Sequence, residues 1–341
     1  MTKRLKAVRT DKELECPQID AGLRAMGYDL TILPDTISEE ELVAEVADAD
    51  ILLMCYTPIT TRVIEAATKL KGIVKFGVGI DAIDIDAAKK HGIPVVNIPQ
   101  YAEETVAEGA FTLMIALAKK LTALDRAMKE QEWVWPTSQW LGSDIAGKTV
   151  GLVGCGKIGR SMARMAGAGF RAKILGYDPH VDAATMRSAG IEKYDDLHLM
   201  LSQCDFVSIH CVLNSQTHHL IGVRELECMK PTAFLINVSR GALVDEAALI
   251  KALKEQRIAG AGLDVFSQEP LARTGHPMSA LYDMDNVILM PHLTFYTKEA
   301  IQRLEEDTLA RCVEIHAGKP VLIKSGDPRL TSQISGVMLA P

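Results

Sequence analysis

None of the seven cysteines stands at the C-x-x-C spacing that a zinc site or a redox dithiol needs. Cys16, Cys55, Cys155, Cys204, Cys211, Cys228 and Cys312 are scattered and odd in number, so they are expected to be reduced core residues. Long apolar runs are also lacking. The stretch that comes nearest, Ala110 to Ala118, is closed by Lys119 and Lys120 and falls well short of the roughly 18 residues of a membrane span. Residues 1–10 alternate charged and apolar side chains and lack the apolar core of a secretory signal. A cytoplasmic protein without membrane contact is expected. Positive charge is not in excess either: 37 basic against 44 acidic residues leave a net charge of −7, a surface that repels a phosphate backbone, so no nucleic-acid partner is expected. Repeats and low-complexity tracts are missing, and the 25 glycines and 14 prolines follow no collagen-like period.

What the sequence does contain is the composition of an ordinary globular protein, 48% hydrophobic and 24% charged over 341 residues. At about 150 residues per domain that length suggests two domains. Short runs rich in Val, Ile and Leu alternate with amphipathic stretches of helical length, the pattern of a parallel sheet covered by helices on both faces. In the first hundred residues Leu5–Val8, Asp29–Leu33, Ile51–Met54, Ile73–Phe76 and Val95–Val96 read as strands, with Glu39–Ala47 and Thr61–Thr68 as crossover helices. One long helix is expected over Glu104–Lys120, apolar on more than one side and so expected to be covered from several directions, including by a second subunit. Glu132–Gly142 holds all three tryptophans and reads as an irregular surface loop packed down by its aromatics. A second alternating series runs from Lys148 to about Pro291. Tyr296–Gly318 reads as a C-terminal amphipathic helix, and the residues after it carry no strong signal. The expected organisation is discontinuous: residues 1–101 and 297–341 form one domain, and residues 102–296 are inserted as the other.

Within the second series the strand KTVGLV leads directly into GCGKIG, which places Gly154, Gly156 and Gly159 in the G-x-G-x-x-G spacing ahead of a helical segment. In such a loop Gly154 allows a sharp turn and Gly156 lets the backbone approach a pyrophosphate. Gly159 lets the helix press on the strand, and the N–H groups at the helix start hold the anion. A further strand, Lys173–Tyr177, ends at Asp178, nineteen residues beyond Gly159. A carboxylate there accepts hydrogen bonds from ribose hydroxyls and repels a 2′-phosphate, which favours NAD over NADP.

Ligands of open α/β sheets bind at the carboxyl ends of the strands. Four later apolar runs deliver polar residues to such a rim: His210 and Cys211; Asn237 to Arg240; Asp264 and Glu269; and His292. Arg240, Glu269 and His292 form a chemical set. A guanidinium forks onto a carboxylate, an imidazole moves a proton near neutral pH, and a carboxylate beside it orients the ring. Such a set suits hydride transfer at the carbon next to a carboxylate. His218 and His219 read as solvated or packing residues, and no His, Cys, Asp or Glu group has metal spacing.

An ordered series of motifs resembles the D-isomer-specific 2-hydroxyacid dehydrogenases over nearly the whole chain: KFGVGIDAIDIDAAKKHGIPVVN (75–97), TVAEGAFTLMIAL (105–117), VGCGKIG (153–159), INVSRGALVDEAAL (236–249), AGLDVFSQEP (261–270) and MPHL (290–293). The resemblance implies a Rossmann NAD-binding domain inserted into a smaller, flavodoxin-like α/β substrate domain, with an active site between the two. It also implies a homodimer built around the helix near Thr105–Lys120. It assigns His292 as the acid and base, Glu269 as its partner, and Arg240 as the ligand of the substrate carboxylate. The N–H groups of Val78 and Gly79 take the other side of that carboxylate. Asp264 contacts the nicotinamide amide, while Lys157, Ile158, Asp178, Cys211, Val238 and Ser239 line the cofactor groove.

After His292 the chain continues Leu293, Thr294, Phe295, Tyr296 where the family most often has a glycine pair. Together with YTPIT (56–60) and PQYAEETVAE (99–108), this is similar to the branch that includes the C-terminal-binding proteins. Phe295 and Tyr56 are thereby expected to wall the substrate pocket. MCYTPITTR lacks a basic cluster for a phosphorylated acid, and no regulatory domain is expected after the core. The expected activity is NAD-dependent reduction or oxidation of a small 2-keto or 2-hydroxy acid. The alternatives are an NADH-sensing dimeric interaction protein like the corepressors of that branch, a phosphoglycerate dehydrogenase, and, last, a formate dehydrogenase.

Overall fold

The computed structural model describes residues 5–340. The chain divides into two compact units: one ends at Ala102 and resumes at Thr297, and the other is Glu103–Tyr296.

The first unit carries five parallel strands, β1 (Leu5–Arg9), β2 (Tyr28–Ile32), β3 (Ile51–Met54), β4 (Ile73–Lys75) and β5 (Val95–Asn97), in the order β2-β1-β3-β4-β5. That is the flavodoxin-like doubly wound order. β3 and β4 are buried along their whole length, as central parallel strands with helices on both faces must be. The helix Lys298–His316 returns to this unit, begun by Thr297, whose side chain accepts from Ala300 N. Its buried Glu305 accepts from Gln18 N at 2.7 Å, and so supplies an acceptor at the start of the helix Pro17–Ala25, whose own N-cap, Cys16, provides none.

The second unit carries seven parallel strands: β6 (Thr149–Val153), β7 (Lys173–Tyr177), β8 (Glu192–Tyr194), β9 (Phe206–Ile209), β10 (Phe234–Asn237), β11 (Gly260–Leu263) and β12 (Val287–Leu289). Their order is β12-β11-β10-β9-β6-β7-β8, a Rossmann-type sheet extended by one strand. The topological switch lies between β6 and β9, where connections leave in opposite directions and open a crevice at the carboxyl rim.

One expectation is corrected, and two segments that carried no expectation of regular structure prove to have it. The helix expected over Glu104–Lys120 is found as Glu103–Ala118, and a second, unexpected helix, Leu121–Gln131, follows Lys120, which lies in the left-handed region at φ +50°. A lysine there gives no sequence signal, because the turn is held by tertiary bonds such as Lys120 Nζ to Gln139 O at 2.6 Å. The tryptophan loop is irregular, but two of its three aromatics do not pack it down: Trp133 and Trp135 are 63% and 73% exposed and meet each other edge-on, while Trp140 is half-buried. The C-terminal residues are ordered, with β13 (Val321–Ile323) pairing with β14 (Val337–Leu339), and the Gln333 amide both donating to and accepting from the Val95 backbone on edge strand β5.

Candidate active site

The glycine loop sits at the switch point. Gly154 has φ +97°, and a Cβ there would lie 2.5 Å from Cys211 N, so the turn needs glycine both for its conformation and for the chain crossing behind it. A Cβ at Gly159 would meet Gly154 O at 2.3 Å, which is the close helix-to-strand approach expected of this position. A Cβ at Gly156 would meet nothing within 4 Å. Gly156 therefore faces open space at the start of the helix Lys157–Ala163, a cradle of the kind a pyrophosphate fills.

Asp178 follows β7 beside this loop. Its carboxylate accepts from Cys155 N at 2.9 Å and His180 N at 2.8 Å, which fixes it in place and leaves each oxygen a lone pair for a ribose hydroxyl. Lys157 pairs with Glu103 at 2.9 Å. Val238 is buried, Ile158 and Cys211 are half-buried, and Ser239 donates to Ile209 O. These residues stand at the carboxyl ends of β6, β7, β9 and β10, and their chemistry fits NAD: open backbone where phosphates bind, and an ordered carboxylate where NADP would carry a further phosphate.

The charged residues stand at the ends of β10, β11 and β12. His292 Nδ1 lies 2.8 Å from Glu269 Oε2, and Glu269 Oε1 accepts from Phe266 N. Burial alone would raise the Glu269 carboxyl. The His292 hydrogen bond, the Phe266 N–H and the nearby Arg240 guanidinium outweigh it and hold the carboxyl below its ordinary value. Arg240 is brought to this loop by Gly241, where a Cβ would lie 2.0 Å from the Phe266 carbonyl carbon. Phe295 is buried and stands edge-on to the His292 ring, centroids 6.5 Å apart.

Asp264 is fully buried, and its carboxylate accepts from Leu293 N, Thr294 N and Thr294 Oγ1 at 2.8, 3.0 and 2.6 Å. His292 itself has φ +59°. Asp264 thereby ties down the two residues that follow a left-handed histidine, a role that its place after an apolar run did not reveal. His210 is the rival imidazole at this rim. Its Nδ1 is buried without a hydrogen-bond partner, and burial pushes its pKa down to about 4, so it stays neutral and is no proton donor near pH 7. His218 and His219 stack on each other in the loop beyond it.

In the first unit, Val78 and Gly79 follow β4, and Tyr56 follows β3, 40% exposed. The buried Asp11 carboxylate accepts from Cys55 N, Thr57 N and Thr57 Oγ1 on either side of Tyr56, a contact invisible in sequence because 44 or more residues separate the partners.

Residues 111–294 match the signature described as "D-isomer specific 2-hydroxyacid dehydrogenase, NAD binding domain". The chain belongs to this family. It is an NAD-dependent oxidoreductase of 2-hydroxy acids, as the family is. Similar proteins include a glyoxylate reductase of Korarchaeum cryptofilum, 41% identical over 83% of this chain and 84% of its own length. They also include a D-3-phosphoglycerate dehydrogenase of Methanocaldococcus jannaschii, 39% identical over 77% of this chain; the chain spans about half (49%) of that relative. Among solved structures, a D-lactate dehydrogenase of Aquifex aeolicus with NAD and lactic acid superposes with a TM-score of 0.80 at 29% identity, covering 92% of this chain and 96% of that one. Among the described residues no cluster of three His, Cys, Asp or Glu is placed to hold a metal ion, and no helix is long and apolar enough to cross a membrane.

Proposed function

We propose that this dehydrogenase reduces small, unphosphorylated 2-keto acids such as glyoxylate, hydroxypyruvate or a longer analogue. The observation that carries the reading is the His292–Glu269 pair, with Arg240 beside it, at the same strand rim as an open glycine cradle. Glu269 engages Nδ1 of the imidazole, so proton transfer to the carbonyl oxygen falls to Nε2. Arg240 is assigned to the substrate carboxylate, and so are the N–H groups of Val78 and Gly79. Gly154, Gly156, Lys157, Ile158, Gly159, Asp178, Cys211, Val238 and Ser239 hold the NADH, which supplies the hydride. Asp264 serves through the His292 loop, and Tyr56 and Phe295 shape the pocket.

A phosphorylated acid is disfavoured because Arg62, the basic residue of the segment around Tyr56, is already paired with Glu39 and Glu40. The unit Glu103–Tyr296 is read as the NAD-binding domain and the other as the substrate domain. A homodimer is supported by the apolar side chains that the second unit leaves at its surface: Val106, Phe111 and Ile115 are half-buried along the long helix, and Leu121, Trp133, Trp135 and Leu141 are exposed nearby in sequence. Seven free thiols suit the reducing cytoplasm. The test is NADH oxidation against a panel of 2-keto acids. Turnover of at least one short acid supports the proposal, and silence across the panel with NADH bound overturns it.

A further inference from the structure

The turn after β4 carries the Val78 and Gly79 N–H groups assigned above to the substrate carboxylate, and β5 decides which way they point. Two consecutive carbonyls of the turn are engaged from the end of β5: Ile98 N donates to Gly77 O at 3.0 Å, and Asn97 Nδ2 donates to Val78 O at 2.6 Å. In a trans peptide the C=O and N–H of one plane point in opposite directions. The Gly77 carbonyl shares its plane with the Val78 N–H, and the Val78 carbonyl shares its plane with the Gly79 N–H. Drawing both carbonyls toward β5 turns both N–H groups away from it, as a pair of donors facing the same way.

We infer that Asn97 is a positioning residue for substrate: its amide fixes the Val78–Gly79 peptide so that the turn presents a two-pronged seat for one carboxylate. This deepens the proposed function and rests on it. Asn97 is 4% exposed, so bulk water does not stand in for its amide. The opposite amide orientation would set oxygen against the Val78 carbonyl oxygen, so the donor side is determined. Its Oδ1 is buried without a hydrogen-bond partner, a cost that a merely packing residue, satisfied by a leucine of similar size, would not carry. The strand neighbour in register, Lys75, is committed elsewhere, to Cys55 O and to Cys55 Sγ at 3.2 Å.

The experiment compares wild type, Asn97→Ala and Asn97→Asp, with glyoxylate as the varied substrate and NADH binding followed separately by fluorescence. Loss of this hydrogen bond in the seat is expected to raise KM by about tenfold in Asn97→Ala, with kcat changed much less and the Kd for NADH unchanged. In Asn97→Asp an ionised carboxylate cannot donate to Val78 O, whereas the protonated acid can. Burial raises the introduced carboxyl above the ordinary aspartate value of about 3.9, so KM is expected to fall toward that of wild type as the pH is lowered from about 8 to about 5.5, beyond any change wild type shows. An unchanged KM in Asn97→Ala, a parallel loss of NADH affinity, or an Asn97→Asp profile that tracks wild type at every pH would overturn the inference while leaving the proposed function standing. A wild-type enzyme silent on every keto acid would overturn both.

Discussion

His292 Nδ1 and Glu269 Oε2 are 2.8 Å apart, although 23 residues separate them in the chain. The contact joins the end of β12 to the loop after β11 and gives the imidazole one defined orientation. Removing the charge by Glu269→Gln is expected to lower kcat for keto-acid reduction, because the charged acceptor that orients the imidazole is replaced by a neutral one. The stability effect has a definite sign. A carboxyl lowered on folding adds stability above its unfolded range and loses it as pH falls through the folded value. The advantage of wild type over Glu269→Gln in thermal stability is therefore expected to be full at neutral pH and to be lost as pH falls below the ordinary glutamate range. An advantage undiminished in acid would count against the ion pair.

His292→Ala and Arg240→Ala are each expected to lower kcat/KM for keto-acid reduction by about 10²–10⁴-fold. Neither is assigned to the dinucleotide, so NADH titration should return a nearly unchanged Kd. A comparable loss of NADH affinity would show that these side chains belong to the cofactor site instead.

Gly156 and Gly159 separate binding from folding. A methyl at Gly156 has open space around it and φ −66°, so Gly156→Ala is expected to keep the wild-type melting temperature while weakening NADH binding tenfold or more. Gly159→Ala drives a methyl against Gly154 O and is expected to cost about 1–3 kcal/mol in denaturant unfolding. Equal stability losses in the two variants would refute the open cradle.

Asp264→Ala strands the Leu293 and Thr294 N–H groups and the Thr294 hydroxyl beside the left-handed His292. Unfolding should be easier by at least about 2 kcal/mol, and the folded fraction should turn over more slowly through misplacement of His292. Urea titration and active-site-normalised kcat check the two effects, and full kcat in the folded variant would deny Asp264 its hold on the histidine.

Much of the scaffold was legible because parallel strands buried on both faces are near-continuous aliphatic runs. Ile51–Met54 and Lys173–Tyr177 were read with the bounds the structure gives them. The helix Pro17–Ala25 was missed for an equally physical reason: it buries only Ile19 and Leu23, and its N-terminal acceptor comes from Glu305, far along the chain. The break at Lys120 and the pairing of Gln333 with Val95 also rest on distant partners.

The family, the alternating α/β architecture, the glycine loop with Asp178, and the identities of Arg240, Glu269 and His292 could be read before folding was considered, because they depend on spacing, residue type and motif order. Which histidine is paired with a carboxylate, which glycine faces open space, and how Asp11, Asn97 and Asp264 hold the segments around them came from the folded chain alone. Those properties are set by burial and by hydrogen bonds between residues far apart in the chain, and no local pattern encodes either.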